Sequence, residues 1–159
     1  MFRVIDNFLD QSLFEVVKHI GSNPEFPWYY NEDISGEGIE KDCYFTHILY
    51  SNNEKSSWFN LVVPIIDTLS DVKSLVRIKA NSYFRTETLV HHKDHVDYSF
   101  DHKAAIFYVN TNDGYTVINN EHKIESVANR ILIFNPQVPH HSTNCTDQQR
   151  RVNVNFNYF

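Results

Sequence analysis

Apolar residues recur at helical spacing in the first half of the chain and at every second position in the rest. Phe2-Arg3-Val4-Ile5 predicts a short strand. Asp10 then precedes Leu13, Val16, Val17 and Ile20, which fall three and four residues apart, so one face of a helix is apolar. The Asp10 carboxylate is placed to accept a hydrogen bond from an exposed amide of the first turn, and Gly21 is expected to end the helix. Trp58, Leu61, Val62, Ile65, Ile66 and Leu69 predict a second amphipathic helix, with Pro64 either kinking it or standing near its first turn. Between the two, residues 23–53 are mixed: Pro24 and Pro27, the aromatic cluster Phe26, Trp28, Tyr29 and Tyr30, and a polar loop through Gly36 and Gly38. This stretch is expected to drape over the domain, its aromatic rings packing onto the core.

From Val76 the period becomes two. Val76, Ile78 and Ala80 share one face of a strand, and Arg77, Lys79, Asn81 and Tyr83 share the other. Further strand-like runs occupy 104–109, 115–118, 123–127, 130–134 and 151–156, separated by turn signals such as Asn112-Asp113-Gly114 and Asn119-Asn120. Two helices followed by short strands predict a mainly β protein with flanking helices, of α+β class, built as a jelly-roll barrel.

Length and charge narrow the possibilities. With 159 residues the chain has room for one domain, 1–159, and therefore for one site. A formal net charge of −6 disfavours a surface that tracks polyphosphate, so nucleic acid is an unfavoured partner. Charges interrupt the apolar residues of MFRVIDNFLDQ, and no span has the length of a membrane helix, so the expectation is a cytoplasmic protein without a membrane partner. Cys43 and Cys145 match no zinc spacing and are expected to be reduced thiols.

The chemistry is concentrated in His91-His92-Lys93-Asp94-His95-Val96-Asp97, in His140 and in Arg151. Two histidines and one carboxylate on one face of an octahedral Fe(II) leave three positions for a bidentate keto acid and O₂. His95 and Asp97 are two apart, so on an extended segment they project to the same side. An H-x-D pair alone is a weak signal. It gains weight from a later histidine and from an arginine on the last strand, where a guanidinium can grip a carboxylate with two parallel hydrogen bonds. On that strand Arg151, Asn153 and Asn155 share the polar face, and Val152, Val154 and Phe156 the apolar one. Asn153, Asn81 and Tyr83 are candidate further contacts to the same ligand, with plain polar lining or packing as the alternative for Asn81 and Tyr83.

These residues resemble those of the Fe(II)/2-oxoglutarate-dependent dioxygenases, in particular the small prolyl-4-hydroxylase-like group. The resemblance runs along nearly the whole chain, through VIDNFLD, FPWYYN, RIKANSYFRT, HVDYSF, AIFYVNTNDGYT, ESVANRILIF and PHHSTNCTDQQRRVNVNFNYF. It implies a double-stranded β-helix of the cupin-like kind. It further implies His95, Asp97 and His140 as iron ligands, Arg151 on the distal carboxylate of 2-oxoglutarate, and hydroxylation of a C–H bond with release of succinate and CO₂. The substrate expected first is a prolyl residue of a peptide or protein, with a free amino acid, another small metabolite or a nucleobase as the open alternatives.

Three local alternatives remain. His141 competes with His140, and neighbouring residues of a strand face opposite ways, so only one can serve; His140 is favoured. Arg150 competes with Arg151, which alone aligns with the run RVNVNFNYF. His92-Lys93-Asp94 is a second H-x-D. His19, His47, His91, His102 and His122 are read as surface or loop residues. Two rival functions belong to other classes: a non-catalytic metal-binding jelly roll, and a zinc-dependent hydrolase, which would need a general base and a bound water.

Overall fold

The computed structural model describes residues 1–32 and 43–159, so the expected loop through Gly36 and Gly38 lies outside the described residues. The strands are β1 (Phe2–Ile5), β2 (Tyr29–Asn31), β3 (Tyr44–Ser51), β4 (Glu54–Lys55), β5 (Leu75–Phe84), β6 (Lys103–Tyr108), β7 (Tyr115–Ile118), β8 (His122–Glu125), β9 (Arg130–Phe134), β10 (His140–Ser142) and β11 (Arg150–Tyr158). The helices are α1 (Gln11–Ser22) and α2 (Val63–Thr68). A large antiparallel sheet runs β1-β9-β6-β11-β5-β3-β2, with β4 paired to β3, and a small sheet runs β10-β7-β8. The small sheet covers one face of the large one, as in a jelly roll.

Alternation in the central strands builds two cores. Ile78 and Ala80 of β5, Ala105 and Phe107 of β6, and Val152, Val154 and Phe156 of β11 pack beneath α1 and α2 against Phe14, Val17, Ile20 and Ile65. The opposite face of β6, through Ala104, Ile106 and Tyr108, packs with Leu132 and Phe134 against Ile118 and Ile124 of the small sheet. Strand β6 is thus covered on both sides, which is why Ala-Ala-Ile-Phe-Tyr reads as an unbroken apolar run. Burial of one such ring or branched side chain is worth about 1.5–3 kcal/mol.

The first helix starts as expected: Asp10 caps it by accepting from the Leu13 amide at 3.0 Å. It runs one residue past Gly21, to Ser22, and closes where the Asn23 amide bonds His19 O at 3.0 Å. The predicted single helix at 58–69 is two pieces, a 3₁₀ turn at Phe59–Val62 followed by α2. Pro64 stands in the first turn of α2, where its missing N–H has no intrahelical partner to lose.

The stretch at 23–53 departs most from expectation. It supplies β2 and the eight-residue β3, which pairs with β5 over its length. A register shift between Ile48 and Tyr50 marks a bulge, which turns the side-chain alternation over and hides the period of two. Phe26 and Trp28 do join the core, but Tyr29 and Tyr30 are exposed at 61% and 58%. Among the described residues no helix is long and apolar enough to cross a membrane.

Candidate active site

A cavity of about 210 Å³ opens between the two sheets, walled by β5 and β11 on one side and by β10 and the segment at 95–97 on the other. The polar faces of the two long strands make its wall. Register pairs Arg151 with Tyr83, Asn153 with Asn81, Asn155 with Lys79 and Asn157 with Arg77, so four ranks of polar side chains stack toward one end.

At that end His95, Asp97 and His140 each offer a donor atom, all within 4.8 Å of one another. The two histidines come from segments far apart in sequence that pair as strands, with amide-to-carbonyl bonds exchanged in both directions at 3.0 Å. His140 Nδ1 lies 2.9 Å from Val138 O and His95 Nδ1 3.4 Å from Lys93 O. A carbonyl only accepts, so both rings carry their proton on Nδ1 and leave Nε2 as an acceptor, the form a metal ligand needs. Burial, and then the nearby His140, hold the His95 pKa below its ordinary value, favouring the same neutral ring. Asp97 is fixed from behind, where Oδ2 accepts from Asn157 Nδ2 at 2.7 Å. His102 Nε2 accepts from the same Asn157 amide at 3.2 Å, and its Nδ1 donates to Phe100 O at 2.9 Å. The donor set fits a divalent ion such as Fe(II): two neutral imidazoles and one carboxylate, each oriented by a hydrogen bond on its far side.

His141 is turned elsewhere. Its Nδ1 donates to Asp94 Oδ1 at 2.7 Å, and its Nε2 then accepts from His91 Nδ1 at 3.0 Å, so both nitrogens are engaged within the protein. His91 in turn accepts from the Tyr115 hydroxyl at 3.1 Å, and Asp94 also accepts from Asn120 at 2.9 Å. The alternative H-x-D pair is thereby divided: Asp94 serves His141, and His92 is buried beside Tyr83.

Arg151 is fully buried, at 0% exposure, and among the described residues no carboxylate pairs with it. Its Nε donates to Ser126 Oγ at 2.7 Å, Nη2 to Thr116 Oγ1 at 3.1 Å, and Nη1 to Thr143 O at 3.2 Å and to Ser142 Oγ. Every acceptor is neutral, and of the five N–H donors of a guanidinium one, on Nη2, is left over. A buried cation without a counter-charge is destabilising by several kcal/mol. Thr116, Ser142 and Tyr83, which surround the guanidinium, line the cavity. The guanidinium thus keeps one donor for a further acceptor directly behind the cavity wall. Arg150 instead reaches Gly21 O on the helical side and lies over the Trp28 ring. Gly114 leaves room for Arg151, since a Cβ there would lie 2.6 Å from Arg151 Cδ and 2.2 Å from Asn144 O.

Of the other expected contacts, Asn153 and Tyr83 line the cavity, whereas Asn81 stands behind it and donates to Asn153 Oδ1 at 2.9 Å. The reading of the five remaining histidines as surface or loop residues is corrected for His47, which is buried within β3 and bonds Pro27 O; His102 does lie in a loop, but it is buried there and braces Asn157. Asn157 itself was legible as the next residue on the polar face of the last strand, beyond the predicted end at Phe156. Arg77, Lys79 and Tyr44 also line the cavity. Burial, and then the charge of Arg77, draw the Lys79 ammonium down to about 8.

Fold and site together define a double-stranded β-helix with a His-x-Asp…His cluster at one end of its cavity and a buried arginine behind Tyr83, Thr116 and Ser142 of the wall. This is the fold of the 2-oxoglutarate/Fe(II) oxygenases, prolyl hydroxylases among them. A prolyl hydroxylase of Trichoplax adhaerens, solved with a hypoxia inducible factor oxygen degradation domain peptide fragment, superposes with a TM-score of 0.68 at 14% identity over 99% of this chain and 83% of that one. A Pseudomonas putida prolyl-4-hydroxylase gives 0.67 at 14% identity, covering 99% and 91%. An oxidoreductase of the 2OG-Fe(II) oxygenase family from Burkholderia pseudomallei gives 0.69 at 8% identity, covering 99% and 84%. No family model matches the chain, and no curated protein matches it in sequence.

Proposed function

We propose that this protein is an Fe(II)- and 2-oxoglutarate-dependent dioxygenase that hydroxylates a C–H bond. One oxygen atom of O₂ would enter the product and the other succinate, with CO₂ released. The observation that carries this reading is the cluster His95, Asp97 and His140 on a cavity whose wall residues Tyr83, Thr116 and Ser142 adjoin a buried Arg151 guanidinium with no carboxylate partner among the described residues. A purely structural metal site has no use for such a cation.

In this reading His95, Asp97 and His140 hold the ion on one side, and the bound ion supplies the oxygen chemistry. Arg151, with the hydroxyls of Thr116 and Ser142, holds the far carboxylate of 2-oxoglutarate and so fixes which end of it meets the metal. Asn157 keeps the Asp97 carboxylate aimed at the ion.

For the substrate, a prolyl group of a peptide is the first candidate, and what supports it is the likeness to two prolyl hydroxylases, one of them solved with a peptide. Anaerobic addition of Fe(II) and then 2-oxoglutarate tests the cofactor assignment: a visible charge-transfer band that requires both, and succinate release on admitting O₂, are expected. Absence of both in a folded sample would refute it.

A further inference from the structure

Given the dioxygenase reading, the charges of the loaded centre close without help from the rest of the cavity. A dipositive metal and the Arg151 guanidinium stand against the Asp97 carboxylate and a dianionic co-substrate. Yet two more cations face the same space. Arg77 and Lys79 are two residues apart on the polar face of β5, so both side chains leave the sheet on the cavity side, and both line the cavity. The protein as a whole is acidic, at −6, so this local excess of positive charge is not a general surface property.

Neither cation has a carboxylate of its own among the described residues, since Arg77 shares Asp97 with the proposed metal. Among the described residues Lys79 Nζ hydrogen-bonds the Tyr44 hydroxyl, at 3.4 Å, and no carboxylate pairs with it. Arg77 Nη2 touches Asn157 Oδ1 at 3.3 Å and lies 3.7 Å from Asp97 Oδ1, a carboxylate the metal would claim, and its buried Nε has no hydrogen-bond partner. Asn155, opposite Lys79 in the register, lines the cavity with a buried Oδ1 that also lacks a partner. Two buried polar atoms on adjoining strands, Arg77 Nε and Asn155 Oδ1, thus stand without a partner next to the metal cluster, beside a Lys79 ammonium that meets no carboxylate among the described residues. Buried polar groups are normally paired, and an unpaired cluster of this kind on a cavity wall marks a place for a ligand.

We propose that Arg77 and Lys79, with the Asn155 amide, bind a carboxylate of the substrate, so that the enzyme acts on a free small acid or on a chain end instead of the neutral interior of a peptide. The attacked carbon then lies near that carboxylate, since the subsite adjoins Asp97.

The test uses the full chain loaded with Mn(II) and saturating N-oxalylglycine, which occupies the co-substrate position without turnover. Acetate serves as the bare carboxylate probe, and L-proline, N-acetyl-L-proline and N-acetyl-L-prolinamide as a matched series, with binding read by thermal shift and calorimetry. Acetate is expected to raise Tm, and at least one of the two proline carboxylates to bind tenfold or more tightly than the neutral amide. Preference for L-proline would indicate a free acid, and preference for N-acetyl-L-proline a chain end. Lys79→Met should remove the acetate response while leaving N-oxalylglycine affinity within about twofold, and should raise the Tm of the unloaded protein by deleting an unmatched charge. Equal binding of carboxylates and amide, or no acetate response in the wild type, overturns the proposal. So does a loss of N-oxalylglycine affinity in Lys79→Met as large as that in Arg151→Met, because these cations would then serve the co-substrate. If N-oxalylglycine fails to bind the wild type at all, the dioxygenase reading has failed first, and the subsite falls with it.

Discussion

His95 and His140 face each other as an isolated antiparallel pair, each amide donating to the other's carbonyl at 3.0 Å, with ring centroids 4.5 Å apart. The pairing brings two residues from distant parts of the chain together by backbone bonds, and the ring bonds to Val138 O and Lys93 O then orient the two imidazoles before any ion arrives. Preorganisation of this kind spares a site the ordering of its own ligands on binding.

Replacement of either neighbour at the double histidine therefore separates ligand from bystander. His140→Ala is expected to abolish Mn(II) binding and iron-dependent succinate formation, as is Asp97→Ala, whereas His141→Ala keeps both because its ring is committed to Asp94 and His91. Metal titration of the three variants checks this, and loss of metal affinity only in His141→Ala would reverse the assignment.

Asn157 acts through Asp97. With its amide removed in Asn157→Ala, the carboxylate loses its 2.7 Å bond and its fixed direction. Metal affinity should fall about ten- to a hundredfold with the fold intact. An unchanged Kd for Mn(II) beside an unchanged circular dichroism spectrum would remove Asn157 from this role.

Arg151→Met should raise the 2-oxoglutarate requirement by a factor on the order of a hundred, the scale of losing one partner of a buried charge pair. Metal binding should be retained. Gly114→Ala is expected to give a milder version of the same defect, because the new methyl would collide with Arg151 Cδ and Asn144 O. Overpacking should also lower stability by about 1–3 kcal/mol. Calorimetric titration with 2-oxoglutarate and a denaturant melt read the two effects separately.

Acid should destabilise the fold through His92. Burial first, then the charges of Arg151 and the neighbouring histidines, draw its pKa down to about 3, and its Nδ1 has no partner. The folded state thus holds His92 neutral, while the unfolded chain takes up a proton near pH 6.5. The stability this group contributes is complete above about 6.5 and is lost as pH falls from there toward about 3, by up to about 1.4 kcal/mol per pH unit. His92→Phe should flatten that slope in urea melts taken between pH 6.5 and 5; an equal slope in both proteins would assign the acid sensitivity elsewhere.

Sequence alone carried the parts that depend on near neighbours. The 3.6 period of α1 and its Asp10 cap, the alternation of β5 and β11, and the placement of His95 with Asp97 and of Arg151 with Asn153 are all set within a few residues, because side-chain direction follows local backbone geometry. Where a local irregularity intervened, the pattern misled: the bulge in β3 concealed a long strand, and the 3₁₀ turn before Pro64 split a helix that periodicity joined. Only the tertiary structure decided which of two adjacent histidines meets His95 and Asp97, which of two adjacent arginines is buried behind the cavity wall, and that Asn157 and His102 stand behind the carboxylate. Those choices depend on pairing between strands far apart in the chain. That pairing is fixed by which apolar faces can be buried together, and no single segment records it.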